Sequence, residues 1–252
     1  MEVTRKQLDS SQYTAPSIRQ YELVYGEDFV APGGRLMAAE LIERMALPAG
    51  SRVLDAGCGL GGSAFVMARD FELLVDGIDL SSNMIFMAEE KLQKHHLESK
   101  VTLRQGDCMK LNAANKYDAV YSRDVFLHIH DKKRLFARLH GSLKARGKLL
   151  FTDYCCGATP WQSEFTRYVE DRGYCLHTLE AYADLIGEAG FSDITYEDLT
   201  TRFIEILRQE MQKIETLNID RSARSDLAAG WIAKIHRAET GDQKWGLFTA
   251  KK

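Results

Sequence analysis

The stretch at 53–62, with the sequence VLDAGCGLGG, constrains the fold of this chain more than any other segment. Val53 and Leu54 are apolar neighbours, as is typical of a parallel strand covered on both faces. The glycines that follow allow the backbone to bend sharply and let a ligand approach it. A helix predicted from about Ser63 to Asp70 would direct free amide groups at that ligand. The stretch therefore predicts a strand, a loop and a helix that together bind a nucleotide-like cofactor.

Two classes of cofactor fit this glycine loop. Gly57, Gly59 and Gly62 satisfy the pattern G-x-G-x-x-G after a strand, which indicates dinucleotide binding. Asp55 precedes them, and Gly61 completes the alternative pattern D-x-G-x-G-x-G. That alternative pattern resembles the S-adenosylmethionine loop of Rossmann-like methyltransferases. The loop alone leaves both cofactors open.

From residue 50 onward, predicted strands alternate with predicted helices. The strands are predicted at Arg52–Ala56, Leu73–Asp79, Val101–Gln105, Tyr117–Tyr121, Lys148–Tyr154, Phe191–Tyr196 and Trp245–Ala250. Leu135, Leu139 and Leu143 predict one side of the helix between the fourth and fifth strands. The alternation indicates an α/β fold with a doubly wound sheet of about seven strands. The resemblance of the glycine loop to Rossmann-like methyltransferases implies a Rossmann-like sheet that is mostly parallel, with the last strand antiparallel.

We expect one domain over residues 1–252, with helices added at two places. Residues 1–45 predict an N-terminal helical lid, and residues 50–199 the Rossmann-like core. Residues 200–240 predict a helical insert between the last two strands, long for a connection and placed over the site. The final strand falls within 241–252.

The composition limits which binding partners and which cellular compartment we expect for this protein. The formal charge is −3 with no basic block, so nucleic acid is not the expected partner. No stretch approaches the roughly 20 apolar residues of a membrane span, and the first residues lack the apolar segment of a signal peptide. The five cysteines show no C-x-x-C and no metal-ligand spacing. We expect a cytoplasmic protein without a metal, and a monomer because no exposed apolar run requires a partner.

Polar residues gather where the predicted strands end. Asp79 ends the second strand, Asp107 follows the third, and Arg123 and Asp124 follow the fourth. In a doubly wound sheet, ligands bind beyond these carboxyl ends. Asp79 lies 22 residues after Gly57, a spacing that suits an acid binding ribose hydroxyls. Both nicotinamide dinucleotides and S-adenosylmethionine contain such a ribose, so Asp79 does not distinguish them.

Four further segments match a specific pattern. They are LDSSQYT at 8–14, YSRDVFLH at 121–128, TDYC at 152–155 and YVEDRGY at 168–174. Together with the glycine loop, these segments closely resemble the phosphoethanolamine N-methyltransferases, or phosphobase methyltransferases, over essentially the whole chain. The resemblance implies methyl transfer from S-adenosylmethionine, which leaves S-adenosylhomocysteine. The implied acceptor is the nitrogen of phosphoethanolamine and/or its mono- and dimethyl forms, and the implied route leads to phosphocholine for phosphatidylcholine synthesis.

The same resemblance implies three groups of site residues. The implied catalytic residues are Tyr13, His128 and Asp124, with His128 and Tyr13 as the base and lid pair and Asp124 positioning the amine. The implied substrate contacts are Gln12, Tyr13, Asp124, Tyr154, Arg172, Tyr174 and Lys234, of which the last four hold the phosphate. The implied cofactor contacts are Tyr21, Val30, Ala31, Asp55, Gly57, Gly59, Asp79, Leu80, Asp107, Cys108 and Arg123.

The residue types suit this chemistry. The attacking nitrogen needs its lone pair, and deprotonating an ammonium with a pKa of about 10.4 at pH 7 costs roughly 4–5 kcal/mol. We expect His128 to act as the base, because the ordinary pKa of histidine lies near neutrality. Arg172 offers paired hydrogen bonds to phosphate oxygens, and Lys234 adds charge without fixed geometry.

Other functions fit only part of the pattern. A methyltransferase for a different small amine or carbon acceptor would retain the cofactor residues but would not need the phosphate-binding group. A non-catalytic module that senses S-adenosylmethionine would not need Tyr13, Asp124 and His128 together. A nicotinamide oxidoreductase leaves both the lid tyrosine and the phosphate-binding group unexplained.

Overall fold

A computed structural model of the protein describes residues 8–252, apart from the side chain of Ser11. Short turns lie at Leu8–Gln12, Cys108–Lys110 and Phe126–His128, the first π-helical and the other two 3₁₀-helical. The longer elements in chain order are α1 (Ala15–Tyr25), α2 (Gly34–Arg44), β1 (Arg52–Ala56), α3 (Gly62–Asp70), β2 (Leu74–Asp79), α4 (Ser82–His95), β3 (Val101–Gln105), β4 (Tyr117–Arg123), α5 (Lys132–Ser142), β5 (Leu143–Cys156), α6 (Ser163–Arg172), α7 (Leu179–Glu188), β6 (Ser192–Asp198), α8 (Thr200–Thr216), α9 (Arg221–Glu239) and β7 (Gln243–Lys251).

The strands form one seven-stranded sheet in the order β3–β2–β1–β4–β5–β7–β6. Strands β1 to β5 pair in parallel, whereas β7 runs antiparallel to both β5 and β6. The predicted Rossmann-like sheet with an antiparallel last strand is confirmed. The chain order reverses between β1 and β4, and the carboxyl ends of these strands meet at that reversal, where such folds bind ligands.

Both faces of the sheet are covered by apolar side chains. Val53 and Ala119 belong to one buried cluster, whereas their neighbours Leu54 and Val120 belong to another. Successive residues of a strand point to opposite faces, so the two clusters lie on opposite sides of the sheet. This double burial explains why β1 and β4 are almost continuously apolar.

The two helices predicted at 200–240 lie against the N-terminal helices. The Glu210 carboxylate accepts a hydrogen bond from the Gly33 N–H at 2.8 Å. The ammonium of Lys213 donates to the Val24 carbonyl oxygen at 2.8 Å. Helices α8 and α9 are therefore held to α1 and to the start of α2, beside the carboxyl edge of the sheet.

The fifth strand begins earlier than predicted. Leu143 was expected on the apolar side of α5, but that helix ends at Ser142, whose hydroxyl donates to the Leu139 carbonyl oxygen at 2.7 Å. Leu143 itself is extended, with φ −75° and ψ 143°, and opens β5. Strand β4 is also longer than predicted and reaches Arg123, which pairs with β5.

We predict that Gly57→Ala destabilises the fold more than Gly50→Ala does. Both glycines have left-handed backbones, with φ of 82° and 79°. An added Cβ at Gly57 would lie 2.3 Å from Val125 Cγ2, whereas one at Gly50 would meet nothing within 4 Å. Backbone strain of about 1 kcal/mol is common to both variants, and the clash adds roughly 1–3 kcal/mol for Gly57→Ala.

Urea unfolding of both variants and the wild type measures this difference. Equal free energies of unfolding for the two variants would contradict the close packing of the glycine loop against Val125.

Candidate active site

A cleft of about 420 Å³ opens at the carboxyl edge of the parallel strands. Its walls come from the strand ends, the N-terminal segment, α1 and α9. The site residues predicted from the sequence that line this cleft are Gln12, Tyr13, Tyr21, Val30, Ala31, Gly57, Gly59, Asp79, Leu80, Asp107, Cys108, Arg123, Asp124, His128, Tyr154, Arg172, Tyr174 and Lys234. The fold therefore brings together residues that are spread over most of the chain.

Hydrogen bonds to residues at the end of β2 fix the glycine loop. The Gly57 N–H donates to the Ile78 carbonyl oxygen at 2.7 Å, and the Gly59 N–H donates to Asp79 Oδ2 at 2.9 Å. Asp79 Oδ1 accepts from the Ser81 N–H at 2.9 Å. Burial raises the pKa of Asp79, and these backbone hydrogen bonds oppose that rise. The carboxylate thus orders the loop while lining the cleft itself.

Asp55 is the predicted site residue that the structure does not place on the cleft wall. It lies inside β1, opposite Gly77 of β2, and is buried. Burial raises its pKa to about 7; the charge of Asp79 adds to the rise and that of Arg123 opposes it. A residue within a strand points to a face of the sheet rather than beyond its end, so Asp55 lies behind the loop.

Asp107 has a structural task besides lining the cleft. Its Oδ1 accepts from the Met109 N–H at 2.8 Å and so caps the turn at Cys108–Lys110. Burial raises the pKa of the adjacent Cys108 thiol to about 12, which keeps the thiol neutral. The turn places both side chains on the wall beside the end of β3.

The N-terminal segment is tied to the start of α4. The Asp9 carboxylate accepts from the hydroxyls of Ser81 and Ser82, both at 2.5 Å. Asn83 donates to the Tyr13 carbonyl oxygen at 2.9 Å. These contacts hold the backbone of the segment, and with it the Tyr13 side chain, against the cleft.

Arg123 joins the end of β4 to the chain before α2. Its guanidinium is buried and donates to the carbonyl oxygens of Pro32 and Gly34, the latter at 3.1 Å. Within residues 8–252 it forms no ion pair with an acid. Its charge is therefore directed at the cleft and at two backbone carbonyls, of which that of Pro32 belongs to a residue lining the cleft.

His128 lies at the end of a 3₁₀ turn and faces Tyr13. Its Nε2 is 3.4 Å from the Tyr13 hydroxyl, and Gln12 Nε2 donates to the hydroxyls of Tyr13 and Tyr174 at 3.2 and 3.3 Å. The predicted tyrosine–histidine pair is thus present, and Gln12 links it to Tyr174. Burial raises the pKa of Tyr13, so its hydroxyl stays protonated.

The near-neutral pKa expected for His128 is wrong. Burial is the largest effect, and with the charges of Lys132 and Arg172 it lowers the pKa of the imidazole to about 4. The Lys132 ammonium donates to the carbonyl oxygens of Phe126, Ile129 and Cys175, each at 2.8 Å. It therefore holds the turn that carries His128, and its charge adds to the burial that keeps the imidazole neutral at physiological pH.

Asp124 has one engaged and one free carboxylate oxygen. Its Oδ1 accepts from Trp245 Nε1 at 2.7 Å and from the Thr152 hydroxyl at 3.1 Å. Its Oδ2 is buried and has no hydrogen-bond partner within the described chain. Burial raises the pKa of Asp124, and Arg123, Trp245 and Thr152 oppose that rise. A cationic group in the cleft would satisfy the free oxygen.

The far end of the cleft carries cations and phenols. Lys234 donates to the Tyr25 hydroxyl at 3.0 Å, and its ammonium lies 4.7 Å from the centre of the Trp231 ring. Burial is the main cause that lowers the pKa of Lys234 to about 8. Neither Lys234 nor Arg172 forms an ion pair with an acid in the part of the chain that the structure describes. An anion would therefore find unneutralised charge there.

Several lining residues were missed by the sequence reading, above all Tyr168 and Arg237. The Arg237 guanidinium is buried, lies 3.7 Å from the centre of the Tyr168 ring and donates from Nε to Gln243 at 3.1 Å. Trp231, Lys234 and Arg237 follow one another at intervals of three, which places them on one side of α9. That spacing is the signal from which Arg237 could have been found.

Residues 8–252 contain neither a cluster of metal ligands nor a helix suited to crossing a membrane. No three histidine, cysteine, aspartate or glutamate side chains come together there as ligands for a metal ion. None of the helices in that range is long and apolar enough to cross a membrane.

Comparison with known proteins shows the relatives of this chain. A family model described as a methyltransferase domain matches residues 53–147. Phosphoethanolamine N-methyltransferase 1 of Arabidopsis thaliana is 40% identical over 252 residues, which cover 97% of this chain and 51% of the plant protein. The chain thus spans about half the length of that relative.

One further relative matches this chain along most of its own length, and another matches it as a solved structure. Phosphoethanolamine N-methyltransferase of Plasmodium falciparum is 32% identical, with 97% of this chain and 95% of that protein covered. A structure of Haemonchus contortus phosphoethanolamine N-methyltransferase 2, with phosphomonomethylethanolamine and S-adenosylhomocysteine, superposes with a TM-score of 0.95 at 35% identity, covering 99% of this chain and 60% of that one. The chain therefore belongs to the phosphoethanolamine N-methyltransferase family.

Proposed function

We propose that this protein transfers methyl groups from S-adenosylmethionine to the nitrogen of phosphoethanolamine and/or its mono- and dimethyl forms. Successive methylation of this nitrogen would produce phosphocholine. The described relatives carry this activity in their names, and one was crystallised with a phosphobase. A single-domain, monomeric and cytoplasmic protein remains our prediction.

One observation carries the proposal more than any other. The same cleft is lined by Asp124, which has a free carboxylate oxygen, and by the cations Arg172 and Lys234, which form no ion pair in the described chain. Phosphoethanolamine has the matching charges, a cationic nitrogen and an anionic phosphate joined by a short linker. The hydroxyls of Tyr154 and Tyr174 add hydrogen-bond donors at the phosphate end.

The other end of the cleft fits the methyl donor. A Cβ at Gly57 would contact Val125, and one at Gly59 would contact Val30. Because glycine has no Cβ, the loop backbone is accessible to a ligand. Asp79 can accept hydrogen bonds from ribose hydroxyls, and Asp107 lines the same wall. S-adenosylmethionine bound there would supply an electrophilic methyl group.

The route of the amine proton follows from the pKa of His128. Losing the proton to water at pH 7 costs roughly 4–5 kcal/mol for an ammonium with a pKa of about 10.4. Direct transfer to an imidazole with a pKa of about 4 costs more, about 9 kcal/mol. We therefore propose that solvent takes the proton before the cleft closes. Neutral His128, steadied by Tyr13, then accepts a hydrogen bond from the amine and orients it.

Binding of the substrate's phosphate would contribute both to substrate selectivity and to closure of the cleft. Arg172 ends α6, Lys234 lies in α9, and a dianion between them would draw the insert at 200–240 toward the core. Gly33, which belongs to the predicted N-terminal lid, donates a hydrogen bond to Glu210 of the same insert. A dianion also offsets the charge of Arg172, one of the groups that lower the pKa of His128. Binding of the phosphate would thus remove one of the charges that lower this pKa, whereas the exclusion of water would act in the opposite direction.

Labelled S-adenosylmethionine tests the proposed function. The acceptors are phosphoethanolamine, its mono- and dimethyl forms, and unphosphorylated ethanolamine as the matched control. We expect transfer to at least one phosphobase and at least roughly 100-fold lower kcat/KM for ethanolamine, because the phosphate contacts would be lost. Transfer to ethanolamine at an equal rate would refute the phosphate-binding role, and transfer to none of the four would refute the function.

We predict that kcat keeps rising between about pH 7 and pH 9, because deprotonation of the amine rather than of His128 limits the reaction. His128→Ala should lower kcat roughly 10- to 100-fold without changing the shape of this profile. Steady-state rates with a saturating phosphobase measure both effects. A plateau that starts near pH 7 in the wild type and is lost in the variant would show that His128 takes the proton itself.

Cofactor affinity separates His128 from Asp79. We expect the Kd of S-adenosylhomocysteine to change less than about threefold in His128→Ala and to rise at least about tenfold in Asp79→Ala, which loses a charged hydrogen-bond acceptor. Calorimetric titration measures both values. An equal loss of affinity in the two variants would contradict the separation of cofactor and substrate ends.

We predict that phosphocholine affinity falls as the pH rises through about 8, because Lys234 then loses its charge. Phosphocholine has no titratable nitrogen and its phosphate is dianionic above about pH 7, so the change reports the protein. In Lys234→Arg the fall should vanish, because a guanidinium stays protonated. Calorimetry over this range measures the Kd values, and an identical fall in both proteins would exclude Lys234 from the phosphate site.

A further inference from the structure

We propose that Trp245, assisted by Thr152, is a positioning residue of the active site: it engages one carboxylate oxygen of Asp124 and leaves the other as the acceptor for the substrate nitrogen. The inference rests on the proposed function and adds residues that the family pattern did not assign. Thr152 lies on β5, where it pairs with Arg123 of the neighbouring strand β4, and Trp245 lies on the next strand, β7, where it pairs with Tyr154 of β5.

The hydrogen bonds to Asp124 divide its two oxygens unequally. Trp245 Nε1 and the Thr152 hydroxyl both donate to Oδ1, at 2.7 and 3.1 Å. The Asp124 N–H donates to the Thr152 carbonyl oxygen at 2.8 Å, which also fixes the backbone. Two donors on one oxygen define the rotation of the carboxylate, and Oδ2 is left buried without a partner in the described chain. A ligand that carries N–H donors or positive charge would complete the arrangement.

A second tryptophan shows that this division is not a general property of buried indoles. Trp231 Nε1 donates to Glu210 Oε2 at 2.9 Å, and Glu210 Oε1 accepts from the Gly33 N–H at 2.8 Å. Both oxygens of that carboxylate are satisfied by the protein. Asp124 differs because its Oδ2 oxygen receives no hydrogen bond from the described chain. Leaving a buried acceptor unsatisfied costs about 1–3 kcal/mol.

Trp245 is itself held rigidly. Its side chain is fully buried and packs against Phe203, with ring centres 5.3 Å apart. Its carbonyl oxygen accepts from the Leu199 N–H at 2.8 Å, and its own N–H donates to the Thr200 hydroxyl at 3.1 Å. The start of α8 therefore fixes the indole, and the indole fixes the carboxylate.

The backbone of Asp124 is also unusual. Its φ is +55°, a left-handed conformation that costs an aspartate of the order of 1 kcal/mol. The conformation directs the side chain toward Trp245 at the carboxyl edge of the sheet. Strain and an unsatisfied oxygen at the same residue are expected where a ligand, rather than folding, determines the arrangement.

A double-mutant cycle tests the inference. We expect Trp245→Phe to lower kcat/KM for the best phosphobase roughly 10- to 100-fold, since it removes a hydrogen bond to a charged group but retains an aromatic ring. In an Asp124→Ala background the same change should lower kcat/KM less than about twofold, because Trp245 acts through Asp124. The Kd of S-adenosylhomocysteine should stay within about threefold in every variant. An undiminished effect of Trp245→Phe in the Asp124→Ala background would overturn the inference.

Two controls distinguish positioning from damage to the core. Trp161→Phe removes an indole N–H that donates to the Gly157 carbonyl oxygen at 3.0 Å, outside the cleft lining, and should leave kcat/KM within about twofold. Thr152→Ser should retain most activity because it keeps the hydroxyl, whereas Thr152→Val should lower kcat/KM several-fold. Equal losses in Thr152→Ser and Thr152→Val would also overturn the inference.

The outcomes separate this inference from the function on which it rests. If the wild type methylates no phosphobase, both fail. If it does and the mutant cycle shows additive effects, only the positioning of Asp124 fails. If Trp245→Phe proves insoluble, the Thr152→Ser and Thr152→Val variants test the positioning of Asp124 in its place.

Discussion

Parallel pairing of β1 with β4 is the interaction on which the cleft depends. Asp55 lies opposite Tyr121 in this pairing, and the chain leaves the two strands at Gly57 and Asp124. A slip of one residue would exchange the side chains that pack into the two buried clusters, so the close packing of those clusters also sets this register. The distance between a loop suited to the methyl donor and an acid suited to the amine is thereby fixed by the core.

Buried polar contacts, rather than apolar packing alone, place the covering helices over this edge. Arg123 binds the carbonyl oxygens of Pro32 and Gly34, and Glu210 joins Gly33 to Trp231. The side chains of Arg123, Glu210 and Trp231 are buried, so breaking one of these contacts would leave a buried partner unsatisfied at a cost of about 1–3 kcal/mol. These contacts couple the chain at 32–34 both to β4 of the core and to the insert.

Local patterns predicted the sheet and the glycine loop, because strand periodicity and glycine chemistry act over a few residues. Most residues of the cleft wall were instead implied by the resemblance to a known family. The remaining properties come from tertiary packing. Asp55 ended a predicted strand, but its position within β1 buries it behind the loop. The low pKa of His128 arises from burial and from Lys132, which packing brings near it. The burial of Lys234 and the cleft-facing position of Arg237 depend on how α9 lies across the edge of the sheet.

The central claim is that one cleft recognises a phosphobase by its two charged ends while a methyl donor occupies the glycine loop. A crystal structure of this protein with S-adenosylhomocysteine and phosphoethanolamine tests that claim most directly. We expect the substrate nitrogen within hydrogen-bonding distance of Asp124 Oδ2, and the phosphate in contact with Arg172 and Lys234. A phosphate bound at the glycine loop, or a nitrogen turned away from Asp124, would contradict the account.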